Sequence, residues 1–125
     1  MTSNERVLSR VADVMDFGHY IKNNENFFPV WDKVSGKLIT NNFKFDNTPT
    51  GHWLSHLLVE KMVGDGWNVE LMHYVDSKFK ARAWKDIYET EKYTYCEERS
   101  SILNSSAPAA ILALFKKVYG ITEEA

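Results

Sequence analysis

The chain has 125 residues, a length that predicts one domain spanning residues 1–125 and built around one hydrophobic core. Hydrophobic residues make up 44% of the chain and charged residues 26%, which is typical of a soluble globular protein. The net charge of −2 excludes an overall attraction to long nucleic acid or to an acidic membrane, so any anion site has to be local.

Two further absences bear on where the protein acts. No stretch approaches the ~18 consecutive apolar residues of a membrane-spanning helix, and the first residues lack the apolar core of a signal peptide. Cys96 is the only cysteine, so an intramolecular disulfide is excluded and a reducing compartment is favoured. Its neighbours Glu97 and Glu98 disfavour a thiolate, so we do not expect a catalytic cysteine. These features predict a cytoplasmic protein without a membrane partner.

The first part of the chain predicts one helix and a loosely structured segment. Apolar residues at helical spacing predict a helix over residues 5–17, with Ser3 or Asn4 as its N-cap. Residues 27–45 follow, and their aromatic, proline-containing stretch FFPVW favours an edge strand or an extended loop. Ser35-Gly36 predicts a turn, and therefore one hairpin, within this segment.

The second part of the chain has clearer signals, beginning with a capped helix. Thr48 is the predicted N-cap and Pro49 the first helical residue, while Gly64 is predicted to end the helix in a left-handed conformation. One face of this helix is apolar and comprises Trp53, Leu54, Leu57, Leu58 and Met62.

From Trp67 the apolar period changes to two, which predicts a hairpin that turns at Asp76-Ser77-Lys78. A third strand is predicted at residues 93–96. A last helix follows, with Ser105 or Ser106 as its N-cap and Gly120 after its end. The whole pattern predicts an α+β fold, with a small antiparallel sheet of three to four strands flanked by helices in a layered sandwich.

Three short motifs in residues 48–120 resemble the phage ABA-sandwich domain family. They are the helical segment from Trp53-Leu54 to Leu58-Val59-Glu60-Lys61-Met62, the pair Gly66-Trp67, and Ala107-Pro108-Ala109-Ala110-Ile111. The resemblance implies a small bacteriophage accessory protein in which a sheet packs between helices. It implies no catalytic residues, and residues 27–45 have no counterpart in it.

Three cations and one aromatic ring share one face of the second hairpin strand. Lys78, Lys80, Arg82 and Trp84 share this face, and such a set can hold a phosphate and stack a base. Tyr74 and Trp31 are the other aromatic residues that we expect to contribute. The alternative interpretation is the solvated outer face of an amphipathic strand, where charge is ordinary.

Three polar residues on the second predicted helix could hold a metal ion. His52 and His56 are four residues apart, and Glu60 follows one turn later on the same face. The zincin pattern requires a glutamate directly after the first histidine, and Trp53 stands there instead. A solvated polar face is the favoured interpretation, so no metal, cofactor or catalytic residue is predicted.

By analogy with small phage proteins of this type, the expected function is binding without catalysis in an infected host cell. The expected ligand is a cyclic nucleotide or another phosphorylated small molecule, sequestered as a second messenger of host immunity. The abundance of aromatic residues, 14% of the chain, favours a homo-oligomer. Two alternatives remain, namely a protein that inhibits a host enzyme through an aromatic surface and a small metal enzyme that uses the two histidines.

Overall fold

The computed structural model describes residues 2–21, 27–90, 93–101 and 103–122, with the backbone alone described over residues 86–90 and 93–98. These residues form three α-helices and two three-stranded antiparallel sheets, so the predicted α+β fold is confirmed. The chain divides into two compact units, here called unit 1 (Met1–Lys44 with Tyr119–Ala125) and unit 2 (Phe45–Val118). That the chain is a single domain stays a prediction.

Helix α1 (Ser3–Val14) opens unit 1 and is held at its start by a capping box. The hydroxyl of Thr2 accepts a bond of 3.1 Å from the Glu5 N–H, and the Glu5 carboxylate accepts one of 2.9 Å from the Thr2 N–H. The bond from the Thr2 backbone N–H to the Glu5 carboxylate, followed by the interaction with the Thr2 side chain, holds the pKa of Glu5 below its ordinary value. The predicted caps, Ser3 and Asn4, are therefore wrong.

A sheet of three short strands follows α1, namely β1 (Phe17–His19), β2 (Val30–Asp32) and β3 (Leu38–Thr40), in the spatial order β1-β2-β3. The backbone of Asp16 has a φ of 60°, a left-handed conformation that aspartate tolerates, and it turns the chain out of the helix. Helix α1 consequently ends at Val14, before the predicted end near residue 17.

Strand β2 lies in the middle of this sheet, so the prediction of an edge strand or extended loop is wrong for Val30 and Trp31. Pro29 stands just before the strand, where the missing N–H of proline removes no bond from the ladder. The predicted hairpin is confirmed, because β2 and β3 pair across a turn in which the Gly36 N–H donates to the Asp32 carbonyl at 2.8 Å.

Helix α2 (Pro49–Gly64) begins unit 2 as the sequence predicts. The Thr48 hydroxyl accepts a bond of 3.1 Å from the Gly51 N–H, and Pro49 occupies the first helical position. The end differs from the prediction, because the left-handed residue is Gly66, with a φ of 96°, and Gly64 is the last helical residue.

The buried face of α2 is narrower than the predicted apolar stripe. Leu54, Leu58 and Met62 are almost completely buried, whereas the Trp53 side chain is 46% exposed. The predicted apolar stripe is therefore only partly buried, and Trp53 lies outside its buried part.

The sheet of unit 2 contains β4 (Asn68–His73), β5 (Phe79–Thr90) and β6 (Tyr93–Ser100), in the order β4-β5-β6. Both the predicted hairpin and the predicted third strand are confirmed, and β6 extends beyond the predicted end at residue 96. Beyond these strands Tyr74 and Lys78 form one more backbone-bonded pair, and Ser77, with a φ of 62°, allows the three-residue turn over residues 75–77.

Helix α3 (Ala107–Val118) packs against β5 and against α2. Its start is capped by Ser106, whose hydroxyl accepts a bond of 3.3 Å from the Ala109 N–H, in agreement with the prediction. Ala81 and Ala83 of β5 are completely buried, so their face of the sheet is the one that the helices cover. Among the helices described, none has the length and apolar character needed to cross a membrane.

Candidate ligand-binding face

The register of the β4–β5 hairpin brings five of the six predicted site residues onto one face. Residues directly opposite each other in an antiparallel pair point to the same side of the sheet, and alternate pairs share a side. The pairs on the side opposite Ala81 and Ala83 are Asn68 with Trp84, Glu70 with Arg82, Met72 with Lys80, and Tyr74 with Lys78. We call these eight residues the hairpin face.

Arg82 occupies the centre of the hairpin face. Its guanidinium carbon lies 4.5 Å from the centroid of the Trp84 ring, a cation–π contact. Its Nη2 atom lies 3.7 Å from Oε1 of Glu70, which is an ion pair that is too long to be a good hydrogen bond. The Arg82 side chain is 37% exposed, so this ion pair is well solvated and weak.

One donor of Arg82 has no acceptor among the residues that the structure describes. The Nε atom is buried and makes no hydrogen bond to them, although a guanidinium normally satisfies its N–H groups when they are removed from water. The contact with Trp84 positions the guanidinium. Because the Arg82 side chain is partly exposed, an acceptor oxygen can reach its outer N–H groups from solvent. A guanidinium held over an aromatic ring and open to solvent is suited to an anion.

The two lysines of the hairpin face, Lys78 and Lys80, have no ion-pair partner among the side chains that the structure describes. Lys80 is half-buried and lies next to Arg82 along the face, whereas Lys78 is exposed in the turn. The eight residues of the hairpin face therefore include three cations and one carboxylate, that of Glu70.

Tyr74 lies at the turn end of the hairpin face. Its backbone N–H donates to the Lys78 carbonyl at 2.8 Å, which continues the β4–β5 ladder by one pair. Its hydroxyl lies 3.8 Å from the sulfur of Met72, and its ring is exposed. Tyr74 is therefore on the same face as Arg82, nearer to the turn.

Trp31, the sixth predicted residue, belongs to unit 1 and lies on β2. Its indole covers Gly18 of β1, where a Cβ atom would lie 2.2 Å from Nε1 of the indole. The glycine thus makes room for the ring. Its predicted role in binding stays a prediction.

Sequence reasoning did not assign Glu70 a role, although it is the ion-pair partner of Arg82. The period-two pattern put Glu70 on a strand face, but the pairing depends on the length of the turn. Sequence reasoning also missed a second cation–π contact. Lys85 Nζ lies 4.4 Å from the Trp67 ring centroid, on the opposite face of the sheet. The hairpin register that pairs Asn68 with Trp84 places Trp67 opposite Lys85 and would have indicated both contacts.

The histidines of α2 have separate partners. His52 Nε2 lies 2.8 Å from Oδ1 of Asn47, and His56 Nε2 lies 3.1 Å from Oε1 of Glu60. Within residues 2–21, 27–90, 93–101 and 103–122, no group of three His, Cys, Asp or Glu side chains is arranged to hold a metal ion.

Comparisons of the chain with protein families, with curated proteins and with solved structures each find no match.

Proposed function

We propose that the protein binds a phosphorylated small molecule with an aromatic base, such as a cyclic nucleotide, on the hairpin face and without catalysis. The observation that carries this proposal is the guanidinium of Arg82, which lies over Trp84 and remains partly exposed to solvent. Lys80 is adjacent and has no partner among the described side chains. A phosphate would bond the guanidinium edge, and a base would stack on the aromatic residues of the face.

The biological role that we propose is sequestration of a nucleotide second messenger in the cytoplasm of an infected bacterial cell. The support for it is the resemblance of residues 48–120 to the phage ABA-sandwich domain family. The motif residues of that resemblance lie in α2, at the start of the hairpin and in α3, and these elements form the scaffold of the hairpin face. A sequestering protein needs affinity and abundance, and it needs no catalytic group.

Isothermal titration calorimetry with a panel of cyclic di- and trinucleotides tests the binding proposal. We expect at least one cyclic nucleotide to bind with a Kd in the micromolar range, since two charge-assisted contacts and one stacked base contribute up to about 9 kcal/mol and a micromolar Kd requires about 8 kcal/mol. Inorganic phosphate and an unphosphorylated nucleoside are the controls, and each should bind far more weakly because it provides only half of the contacts. Absence of binding by the whole panel at micromolar concentrations would exclude the proposal.

A second candidate function, inhibition of a host enzyme, is favoured by exposed apolar residues at the turn end of the hairpin. Tyr74 and Val75 are both exposed there, in a stretch where polar residues are usual. This function predicts that the protein retains a host protein from a bacterial lysate and that Val75→Asp abolishes the retention. The nucleotide proposal predicts instead that Val75→Asp leaves the calorimetric Kd unchanged, because Val75 is not part of the hairpin face.

A further inference from the structure

Strand β4 is an edge of the unit 2 sheet, and its outward-facing backbone groups have no partner among the described residues. The Tyr74 N–H bonds the Lys78 carbonyl, so the even-numbered residues of β4 direct their backbone groups toward β5. The N–H and C=O groups of Val69, Leu71 and His73 therefore point away from the sheet. Outside the strand ladders, no backbone bond joins these three residues to any described residue.

Natural edge strands usually carry features that prevent pairing with another strand, and β4 carries few of them. It contains no proline, and its six residues pair with β5 without a bulge. Its only charged residue, Glu70, forms an ion pair with Arg82 of the same chain.

The other strands at sheet edges differ from β4. Strand β6, the opposite edge of the same sheet, has three successive charged residues at positions 97–99. The edge strands β1 and β3 of unit 1 have only three residues each. Among the described strands, β4 is thus the edge with the fewest obstacles to pairing.

We propose that β4 pairs antiparallel with β4 of a second copy, about a two-fold axis at Leu71, and so joins two three-stranded sheets into one of six strands. In this register Leu71 of one copy lies opposite Leu71 of the other, and Val69 lies opposite His73. The Leu71 side chain is 41% exposed in the single chain, so the pairing would cover apolar surface.

The distribution of charge selects this register over its neighbours. An axis at Glu70 would place two glutamates directly opposite each other, and like charges in that position are destabilising. An axis at Met72 would pair Val69 with Val75, which lies in the turn beyond the end of β4. With the axis at Leu71, Glu70 lies opposite Met72 and no like charges meet.

Sedimentation and light scattering of the full chain test the proposal. We expect the wild-type protein to be a dimer at tens of micromolar, Leu71→Lys to be monomeric, and Val75→Lys to remain dimeric as the matched control. An equimolar mixture of Leu71→Lys and Leu71→Glu should recover the dimer, since opposite charges would then meet at the axis. If the mixture recovers the dimer, both variants are folded, and the monomeric state of Leu71→Lys alone is then due to the repulsion of its charges at the axis.

Cross-linking gives an independent test of the register. In a Cys96→Ser background, a cysteine at position 71 should form an intermolecular disulfide, because directly opposite hydrogen-bonded residues have Cα atoms about 5.5 Å apart. A cysteine at position 75 should not cross-link to itself. A monomeric wild-type protein, a dimer that survives Leu71→Lys, or cross-linking at position 75 in place of 71 would overturn the proposal.

Discussion

Replacement of Gly51 by alanine is expected to lower the free energy of unfolding by about 3 kcal/mol, toward the upper end of the range for overpacking a well-packed site. Gly51 is buried in the first turn of α2, and a Cβ atom built on it would lie 2.0 Å from the carbonyl oxygen of Asp46. The obstacle is backbone rather than the flexible end of a side chain. The clash can therefore be relieved only by displacing the segment that leads into the Thr48 cap.

Gly64 provides the matched control for this substitution. It lies in the last turn of the same helix, is exposed, and has open space where a Cβ atom would be placed. Because alanine restricts the unfolded chain and favours helix, Gly64→Ala should raise the free energy of unfolding by about 0.5–1 kcal/mol. Urea denaturation measures both variants, and equal stabilities for the two would contradict the described packing at Asp46.

Replacement of Arg82 by alanine is expected to weaken the affinity for the nucleotide roughly ten- to hundredfold. One charge-assisted hydrogen bond contributes about 1.5–3 kcal/mol, so the loss of the bond from Arg82 to the phosphate accounts for a change of this size. Arg82→Lys should recover only part of the affinity, since an ammonium group lacks the planar fork. Calorimetry with the best ligand of the cyclic nucleotide panel measures the change.

Lys85→Ala is the control for a general loss of charge. Lys85 also lies over a tryptophan, at 4.4 Å from the Trp67 ring centroid, but on the opposite face of the sheet. Its removal should leave the Kd within a factor of about two, a difference of a few tenths of a kcal/mol. A loss of affinity equal to that of Arg82→Ala would show that total charge, and not the hairpin face, governs binding.

Glu70 allows a test in which the affinity should increase. Its carboxylate lies 3.7 Å from Nη2 of Arg82 and competes with an incoming phosphate for the same cation. Glu70→Gln should therefore strengthen nucleotide binding several-fold at low salt, and the gain should shrink as salt screens the charges. Weaker binding by this variant would indicate that Glu70 positions Arg82 for the ligand.

The elements that the sequence predicts well are those with local signals. Thr48 and Pro49 begin α2 through side-chain and ring geometry that involve only the next few residues. The alternation that predicts the hairpin likewise depends on neighbouring residues, and the structure confirms it. In contrast, β1 and β2 have three residues each, too few for a period to be visible, and they pair across a separation in sequence.

The same distinction between local and non-local information applies to the hairpin face. The period of two correctly places Lys80, Arg82 and Trp84 on one side of β5. The contact of Arg82 with Glu70 depends on the three-residue turn that sets the register, and that turn requires the left-handed backbone of Ser77.

Trp53 shows the corresponding limit for helices. Its spacing matches an apolar stripe, but burial depends on which side of α2 meets α3 and the sheet. Spacing along a helix identifies residues that share a face and does not specify the partner of that face. A tryptophan next to the stripe can therefore remain exposed.

The most direct measurement of ligand binding at the hairpin face is an NMR titration of the indole N–H signals. The chain has four tryptophans, so each indole gives a separate probe. We predict that a cyclic nucleotide shifts the signal of Trp84, which contacts Arg82, and leaves that of Trp67, buried on the opposite side of the sheet, in place. An unchanged Trp84 signal at a ligand concentration that saturates the calorimetric titration would contradict binding at this face.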